Sequence, residues 1–129
     1  MNLPADTPFD RPDLANLLSH SDAAALDTLD FGVIGFDRES RVQRYNTFEA
    51  KAAGLRTERV LGQDLFQMVA PCMNNFMVAQ RFADAREEGV ALDDTINYVL
   101  TLRMRPTKVR LRLLCQPADD LAYVLVQRS

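Results

Sequence analysis

The chain has 129 residues, of which 47% are hydrophobic and 26% are charged, and its formal net charge at pH 7 is −3. These values indicate a single globular domain and exclude a largely disordered chain. They also argue against nucleic acid and membrane partners, because the chain has no basic surplus, no apolar run of about 20 residues and no signal-peptide pattern at its start. We therefore expect a cytoplasmic protein.

The charges are unevenly distributed along the chain. Residues 1–30 hold six acidic side chains and one basic side chain, whereas the remaining residues have a net charge of +2. Residues 13–28 are predicted to form one or two short helices, since leucines recur there at helical spacing and Ser21–Asp22 is typical of a helix start. The lone histidine, His20, lies in this segment and is predicted to be a surface residue.

A hairpin and a mainly helical stretch are predicted next. The apolar run at 31–36 and the segment at 41–45 predict two short strands joined by a turn. The clearest helix is predicted at 75–88, where an amphipathic pattern ends at Gly89. The apolar arc of this helix comprises Phe76, Val78, Ala79, Phe82 and Ala83. Shorter helical or turn segments are predicted between the hairpin and this helix, at 47–53, 57–60 and 64–68.

The hydrophobic pattern then changes to a period of two, which is typical of half-buried strands. Apolar residues alternate from Ile96 to Met104 and from Val109 to Cys115, and Arg105–Pro106 is predicted to join the two strands. The segment 121–127 is apolar on both faces, as in a central strand. This order predicts an α+β fold with a five-stranded antiparallel sheet, helices on one face and the N-terminal helices on the other.

Three side chains are candidates for chemistry. Cys72 follows Val69–Ala70–Pro71, and it is either a small buried hydrophobic residue or a nucleophile or attachment point for an acyl group. Tyr45 and Glu49 stand four residues apart, so both side chains could meet one acceptor atom. Glu49 could instead complete a capping box with Asn46. In an apolar site, Glu49 is expected to have a raised pKa and to stay protonated near neutral pH.

The other polar and apolar patterns predict structural roles. Tyr98, Leu100 and Met104 share one face of a strand and are predicted core residues, and Cys115 is predicted core filler. Two cysteines and one histidine cannot build a zinc site, and no phosphate-binding loop or nucleophile elbow is present. We therefore expect no metal and no enzyme activity. A solvated sheet face is predicted from the bases Arg103, Arg105, Lys108, Arg110 and Arg112.

Several motifs together resemble those of the photoactive yellow proteins, blue-light receptors of the PAS fold. The similarity covers roughly residues 13–128. It is specific because it combines VAPC with an upstream YNxxE and a downstream MxPTKV. The motifs are Phe31–Gly32–Val33–Ile34, Gln43–Arg44–Tyr45–Asn46 with Glu49, Val60–Leu61–Gly62 through Phe66, Val69–Ala70–Pro71–Cys72, and Met104 through Val109.

The resemblance implies a covalent chromophore, 4-hydroxycinnamic acid (p-coumaric acid), attached to Cys72 as a thioester. It implies that Tyr45 and Glu49 hydrogen-bond the phenolate, that trans–cis isomerisation follows light absorption, and that Glu49 then gives its proton to the phenolate. It also implies that an N-terminal cap, residues 1–28, is released from a PAS core, residues 29–129, as the signal. The implied pocket contains Cys72, Tyr45, Glu49, Ala53, Leu55, Phe66, Tyr98, Leu100 and Met104.

Three pocket positions depart from the family pattern, and an alternative function stays open. Ala53 replaces a threonine, Leu55 an arginine and Leu100 a phenylalanine, so we expect a looser phenolate network and altered absorption and recovery. The alternative is a PAS sensor or protein-interaction module that is not photoactive, with Cys72 as a core residue. A monomer or weak homodimer with an unidentified downstream signalling partner is expected.

Overall fold

A five-stranded antiparallel sheet forms the centre of the fold in the computed structural model, which describes residues 7–101 and 106–128. The strand order is β2-β1-β5-β4-β3, so the last strand of the chain lies in the middle. This confirms the predicted sheet and the predicted central position of the apolar segment near the C-terminus. The strands are β1 (Gly32–Phe36), β2 (Val42–Tyr45), β3 (Leu92–Leu100), β4 (Thr107–Cys115) and β5 (Ala122–Arg128).

The helices lie between the second and third strands and before the first. The predicted N-terminal helical pieces are confirmed, and the second of them begins after Asp22, whose carboxylate accepts a hydrogen bond from the N–H of Ala25. The α-helices are α1 (Leu14–Ser19), α2 (Ala23–Leu26), α3 (Thr47–Ala53), α4 (Thr57–Val60) and α5 (Ala79–Glu88); a π-helical turn spans Leu65–Val69 and a 3-10 helix spans Pro71–Met73.

The predicted helix at 75–88 is wrong at its start, because α5 begins at Ala79. The side chain of Asn75 accepts hydrogen bonds from the N–H groups of Met77 and Val78, which forms a local turn in place of the first helical turn. Phe76, predicted on the buried arc of the helix, is 79% exposed as a result. Ala83, also predicted on that arc, is exposed, and Ala85 is buried instead.

Alternation along the strands divides the interior into two apolar clusters. Val109, Leu111 and Leu113 of β4 face the cluster beneath α5 and the short helical segments. Leu114 faces the other cluster, where it packs with residues of the N-terminal segment such as Leu14 and Leu18. Cys115 is buried in the first cluster, which confirms its prediction as core filler. The sheet therefore separates a helix-covered face from a face that the N-terminal segment covers.

On the face that the N-terminal segment covers, the prediction that the row of bases is solvent-exposed is wrong at Arg112. This side chain is buried, and its guanidinium donates to the backbone carbonyls of Phe9 and Arg11 at 2.9 and 2.8 Å. Arg110 pairs with Asp10 at 3.1 Å and lies over the ring of Phe9. Arg103 and Arg105 lie outside the described residues. The acidic N-terminal segment thus lies against the basic sheet face in the folded chain.

Across residues 7–101 and 106–128, no helix is both long enough and apolar enough to cross a membrane. His20 is exposed, as predicted, and its ring nitrogen Nδ1 lies 2.8 Å from the carbonyl oxygen of Asn16.

Candidate functional site

Glu49 lies on the first turn of α3 and points into the protein, where its side chain is 2% exposed. Its carboxylate binds the guanidinium of Arg128 at the end of β5. Nη1 donates to Oε1 at 2.7 Å and Nη2 donates to Oε2 at 3.0 Å. This is the bidentate geometry that makes arginine–carboxylate pairs strong. The structure thus joins the first turn of α3 to the last residue of the central strand.

A glycine in the neighbouring strand makes room for this pair. Gly32 of β1 pairs with Val126, two residues before Arg128 on β5. A methyl group on Gly32 would overlap a carboxylate oxygen of Glu49. The absence of a side chain at this position therefore leaves the space in which the Glu49 carboxylate lies.

Burial and the guanidinium act on Glu49 in opposite directions. Burial raises the pKa of Glu49, and the hydrogen bonds and positive charge of Arg128 oppose the rise. The net direction is upward, as the sequence predicts for a glutamate in an apolar site. Arg128 is not among the residues that the sequence motifs indicate. Its alternation with Ala122, Val124 and Val126 could have identified it, because this spacing places Arg128 on the helix-covered face of the sheet.

Tyr45, at the end of β2, is buried and 4% exposed. Burial raises the pKa of its hydroxyl, the charge of Glu49 raises it further, and the charge of Arg128 lowers it. The tyrosine is therefore neutral and electrostatically coupled to the ion pair. Among the described residues, Arg128 donates the hydrogen bonds that the Glu49 carboxylate accepts, and Tyr45 donates none.

The hydrogen bonds of Asn46 show that Glu49 does not have the second role predicted for it, that of a capping-box residue. Its Oδ1 accepts hydrogen bonds from the N–H groups of Glu49 at 3.1 Å and Val33 at 2.9 Å, so Asn46 caps α3. The Glu49 side chain does not complete a capping box, because the N–H of Asn46 donates to the carbonyl of Val33. The capping role belongs to Asn46, and the carboxyl of Glu49 faces Arg128.

Cys72 is the middle residue of the 3-10 helix and is partly buried. Its backbone carbonyl accepts a hydrogen bond from the Tyr98 hydroxyl at 2.5 Å and another from Asn75 Nδ2 at 3.1 Å. Asn75 Nδ2 also lies 2.6 Å from the Tyr98 hydroxyl oxygen. These bonds fix the backbone of Cys72 to β3. The next α-helix begins at Ala79 and not at the predicted residue 75, so no α-helix start lies next to Cys72.

The structure brings most of the predicted pocket residues together. Ala53 is buried but belongs to neither apolar cluster, and Met104 lies outside the described residues. The remaining apolar and aromatic members belong to, or pack against, the cluster on the helix-covered face: Tyr45, Leu55, Phe66, Cys72, Tyr98 and Leu100.

Several hollows in the described part of the chain border this cluster. A groove of about 860 Å³ is lined by Tyr98, Val109 and Arg128, among others, and is of the size that small ligands use. Tyr45 lines a smaller hollow of about 200 Å³. Arg128 therefore borders the large groove on one side and holds the Glu49 carboxylate on the other.

Comparisons with known proteins match this architecture. The profile of the PAS fold family matches residues 26–127. The chain is 32% identical to the photoactive yellow protein of Halochromatium salexigens and 30% identical to that of Rhodothalassium salexigens, over 93% of this chain and 95% of each relative. It also superposes on the photoactive yellow protein domain of the sensor histidine kinase Ppr from Rhodospirillum centenum with a TM-score of 0.79 at 30% identity, covering 88% of this chain and 99% of that domain.

Proposed function

Since the chain belongs to the photoactive yellow protein family of PAS-fold proteins, we propose that it is a blue-light photoreceptor with 4-hydroxycinnamic acid bound to Cys72 as a thioester. The observation that carries the proposal is that Cys72 and Tyr45 share one apolar cluster. A thiol and a buried phenol hydroxyl are thereby placed on the same face of the sheet. The protein acts as a signalling module and not as an enzyme.

The residues present suit such a ligand. Cys72 is only partly buried, so a small local opening brings its thiol to an activated acyl donor. The apolar cluster offers an environment for an aromatic ring, and Tyr45 and the Glu49–Arg128 pair offer polar partners for a phenolic oxygen. When bound, the chromophore supplies light absorption and a double bond that isomerises from trans to cis. Glu49 is the residue that exchanges a proton with the phenolic oxygen.

The N-terminal segment is the proposed output element. Arg110 and Arg112 hold this segment on the sheet through Asp10 and the carbonyls of Phe9 and Arg11. Asn46 donates to the carbonyl of Leu26 at 3.0 Å, which links α2 to the helix that carries Glu49. A change of charge at Glu49 therefore has a short structural route to the segment, and its release exposes the sheet face to a downstream signalling protein.

A second candidate function is a PAS sensor or interaction module without photoactivity. The packing of Cys72 against the apolar core favours it, because a structural cysteine has the same environment. The two functions differ in whether the Cys72 thiol becomes acylated.

The deciding experiment adds p-coumaric anhydride to the apoprotein, with Cys72→Ala and Cys115→Ala as matched variants. We expect a mass gain of one coumaroyl group and an absorption band that bleaches in blue light and recovers in the dark. Both should be present in the wild-type protein and Cys115→Ala and absent in Cys72→Ala. A folded wild-type protein that gains neither mass nor a band would reject the photoreceptor and favour the sensor module.

A further inference from the structure

The two edges of the sheet differ in whether their backbone is covered. Along β2, the N–H of Gly62 donates to the carbonyl of Val42 at 2.8 Å, and the N–H of Val42 donates to the carbonyl of Gln63 at 2.9 Å. Strand β3 forms the opposite edge and, within the described residues, pairs with β4 alone. No backbone hydrogen bond among residues 7–101 and 106–128 reaches its outer side. The outward N–H and C=O groups of β3 are therefore open to pairing with another strand.

Strand β3 lacks the features that usually protect an edge strand. It pairs with β4 over nine residues without a break in register, and it contains neither proline nor lysine. Its two acidic side chains are each neutralised by an arginine of the same chain. Asp93 binds Arg112 at 2.9 Å, and Asp94 binds Arg81 of α5. Short, bulged or charged edges discourage the approach of another strand, whereas a long, regular edge with paired charges favours it.

The middle of β3 is uncharged and at least partly exposed: Thr95, Ile96, Asn97, Tyr98 and Val99. This segment is complementary to itself when two copies run antiparallel about a two-fold axis at Asn97. Ile96 of one copy then lies opposite Tyr98 of the other, and Thr95 lies opposite Val99. Pairs between aromatic and β-branched side chains stabilise antiparallel sheets. The five residues therefore suit a second copy of the same strand.

Charge favours the same register. Asp94 lies three positions before Asn97, so the Asp94 residues of the two copies are six positions apart along the paired strands. At about 3.4 Å per residue this separation is about 20 Å. It exceeds the Debye length of about 8 Å at physiological ionic strength, so the two carboxylates hardly repel each other. A register centred on Asp94 would instead place them directly opposite, which is destabilising.

We propose that β3 is the interaction surface for a second copy of this chain, with the two strands antiparallel about a two-fold axis at Asn97. Each copy contributes the same edge, so the contact closes on itself and does not propagate into a filament. The sheets of the two copies join into one, whose outer edges are the two covered β2 strands. The inference is independent of the proposed function, because the contact uses the backbone edge of β3 and needs no bound chromophore.

The first test follows the full-length apoprotein through a dilution series by sedimentation velocity and by NMR of the backbone amides. We expect a dimer that dissociates on dilution. The amide shifts that change with concentration should lie in β3 and be largest at residues 95–99. A protein that stays monomeric throughout the series overturns the proposal, and so do concentration-dependent shifts that lie on another surface, such as α5.

The second test places charges at the two-fold axis. Asn97→Lys and Asn97→Asp each bring two like charges opposite one another in the dimer, so each variant alone should raise the dimer Kd about ten-fold or more. An equimolar mixture of the two variants should restore dimerisation, because a lysine then lies opposite an aspartate. Gln67→Lys and Gln67→Asp make the same changes of charge at an exposed position on the π-helical turn and should dimerise as the wild type does.

The mixture separates a loss of contact at the axis from a general loss of stability. Single variants that dimerise like the wild type overturn the proposal, and so does a mixture that is no more dimeric than its components. Asn97 pairs with Arg110 of β4 within the chain, so Asn97→Lys brings two like charges together in the monomer as well. Where that variant does not fold, Asn97→Asp decides alone, since it must weaken the dimer that Gln67→Asp retains.

Discussion

Arg112 and Phe9 are joined by a hydrogen bond of 2.9 Å from the guanidinium to the backbone carbonyl, across 103 positions of sequence. The same guanidinium binds both carboxylate oxygens of Asp93 on β3 at 2.9 Å. One side chain of β4 therefore fastens the N-terminal segment to the sheet and to the neighbouring strand. Because Arg112 is 5% exposed, water does not compete effectively for these bonds.

Replacing Arg112 by Gln should detach the N-terminal segment locally. The change removes charged hydrogen bonds to the carbonyls of Phe9 and Arg11, and we expect it to lower the free energy of unfolding by about 2–3 kcal/mol. Arg110→Gln, which removes a partly exposed ion pair, should cost about 1 kcal/mol or less. Urea unfolding measures both losses, and hydrogen exchange should rise in α1 only for Arg112→Gln. Equal losses in the two variants would contradict the anchoring role.

Asn46 should be among the side chains least tolerant of substitution. Its amide donates to the carbonyls of Leu26 and Phe31, both at 3.0 Å, and its oxygen accepts from two N–H groups. Asn46→Ala should lower the free energy of unfolding by about 2–4 kcal/mol, through loss of the helix cap and of buried hydrogen bonds.

Asn46→Asp keeps the accepting oxygen but brings a carboxylate next to two carbonyl oxygens, so it should also destabilise the protein. Thermal and urea unfolding of both variants test this. A loss under about 0.5 kcal/mol in either variant would show that the four bonds contribute little net stability.

Tyr98→Phe should loosen the backbone around Cys72. The hydroxyl bond to the Cys72 carbonyl is lost, at a cost of about 1 kcal/mol, or roughly five-fold in a local opening equilibrium. The rate at which a disulfide reagent modifies the Cys72 thiol should therefore rise about five-fold, and Cys115, which is 1% exposed, should stay unreactive. Tyr123→Phe is the control, since its hydroxyl bond to the Leu18 carbonyl is long at 3.4 Å. An unchanged rate in Tyr98→Phe would contradict the prediction.

Glu49 should give the stability a recognisable pH dependence. Its pKa in the folded chain lies above the ordinary 4.5, because burial outweighs the effect of Arg128. The folded state thus binds this proton more tightly than the unfolded state. The associated stability is present below about pH 4.5 and is lost as the pH rises through the folded pKa.

Glu49→Gln lacks this titration, so the free energy of unfolding of the wild type minus that of the variant should decrease from pH 4.5 toward pH 7. Urea unfolding over this range measures the difference. Glu58→Gln, at an exposed position on α4, provides the same change of formal charge and should not reproduce the trend. A difference that increases with pH would mean that Arg128 lowers the pKa of Glu49 below 4.5.

Local sequence patterns predicted the elements well where neighbouring residues decide the structure. Helix α3 was predicted at 47–53 and is found there, because Asn46 caps its start and Gly54 adopts the left-handed conformation at its end. The alternation of β4 and the apolar β5 also led directly to the sheet. The predicted start of α5 is wrong because the Asn75 side chain hydrogen-bonds the backbone of the residues that follow it. The same side chain also hydrogen-bonds Tyr98, 23 positions away.

The sequence by itself determined the sheet with its two covered faces, and its motifs pointed to Cys72, Tyr45 and Glu49. Only the tertiary structure decided what these residues face. Glu49 meets Arg128 across 79 positions of sequence, and Arg112 is buried under the N-terminal segment. Periodicity assigns a side chain to a face of a strand or helix, but strand order, register and close approach at Gly32 determine which side chain lies opposite. The partner of a buried charge is therefore a property of the assembled sheet.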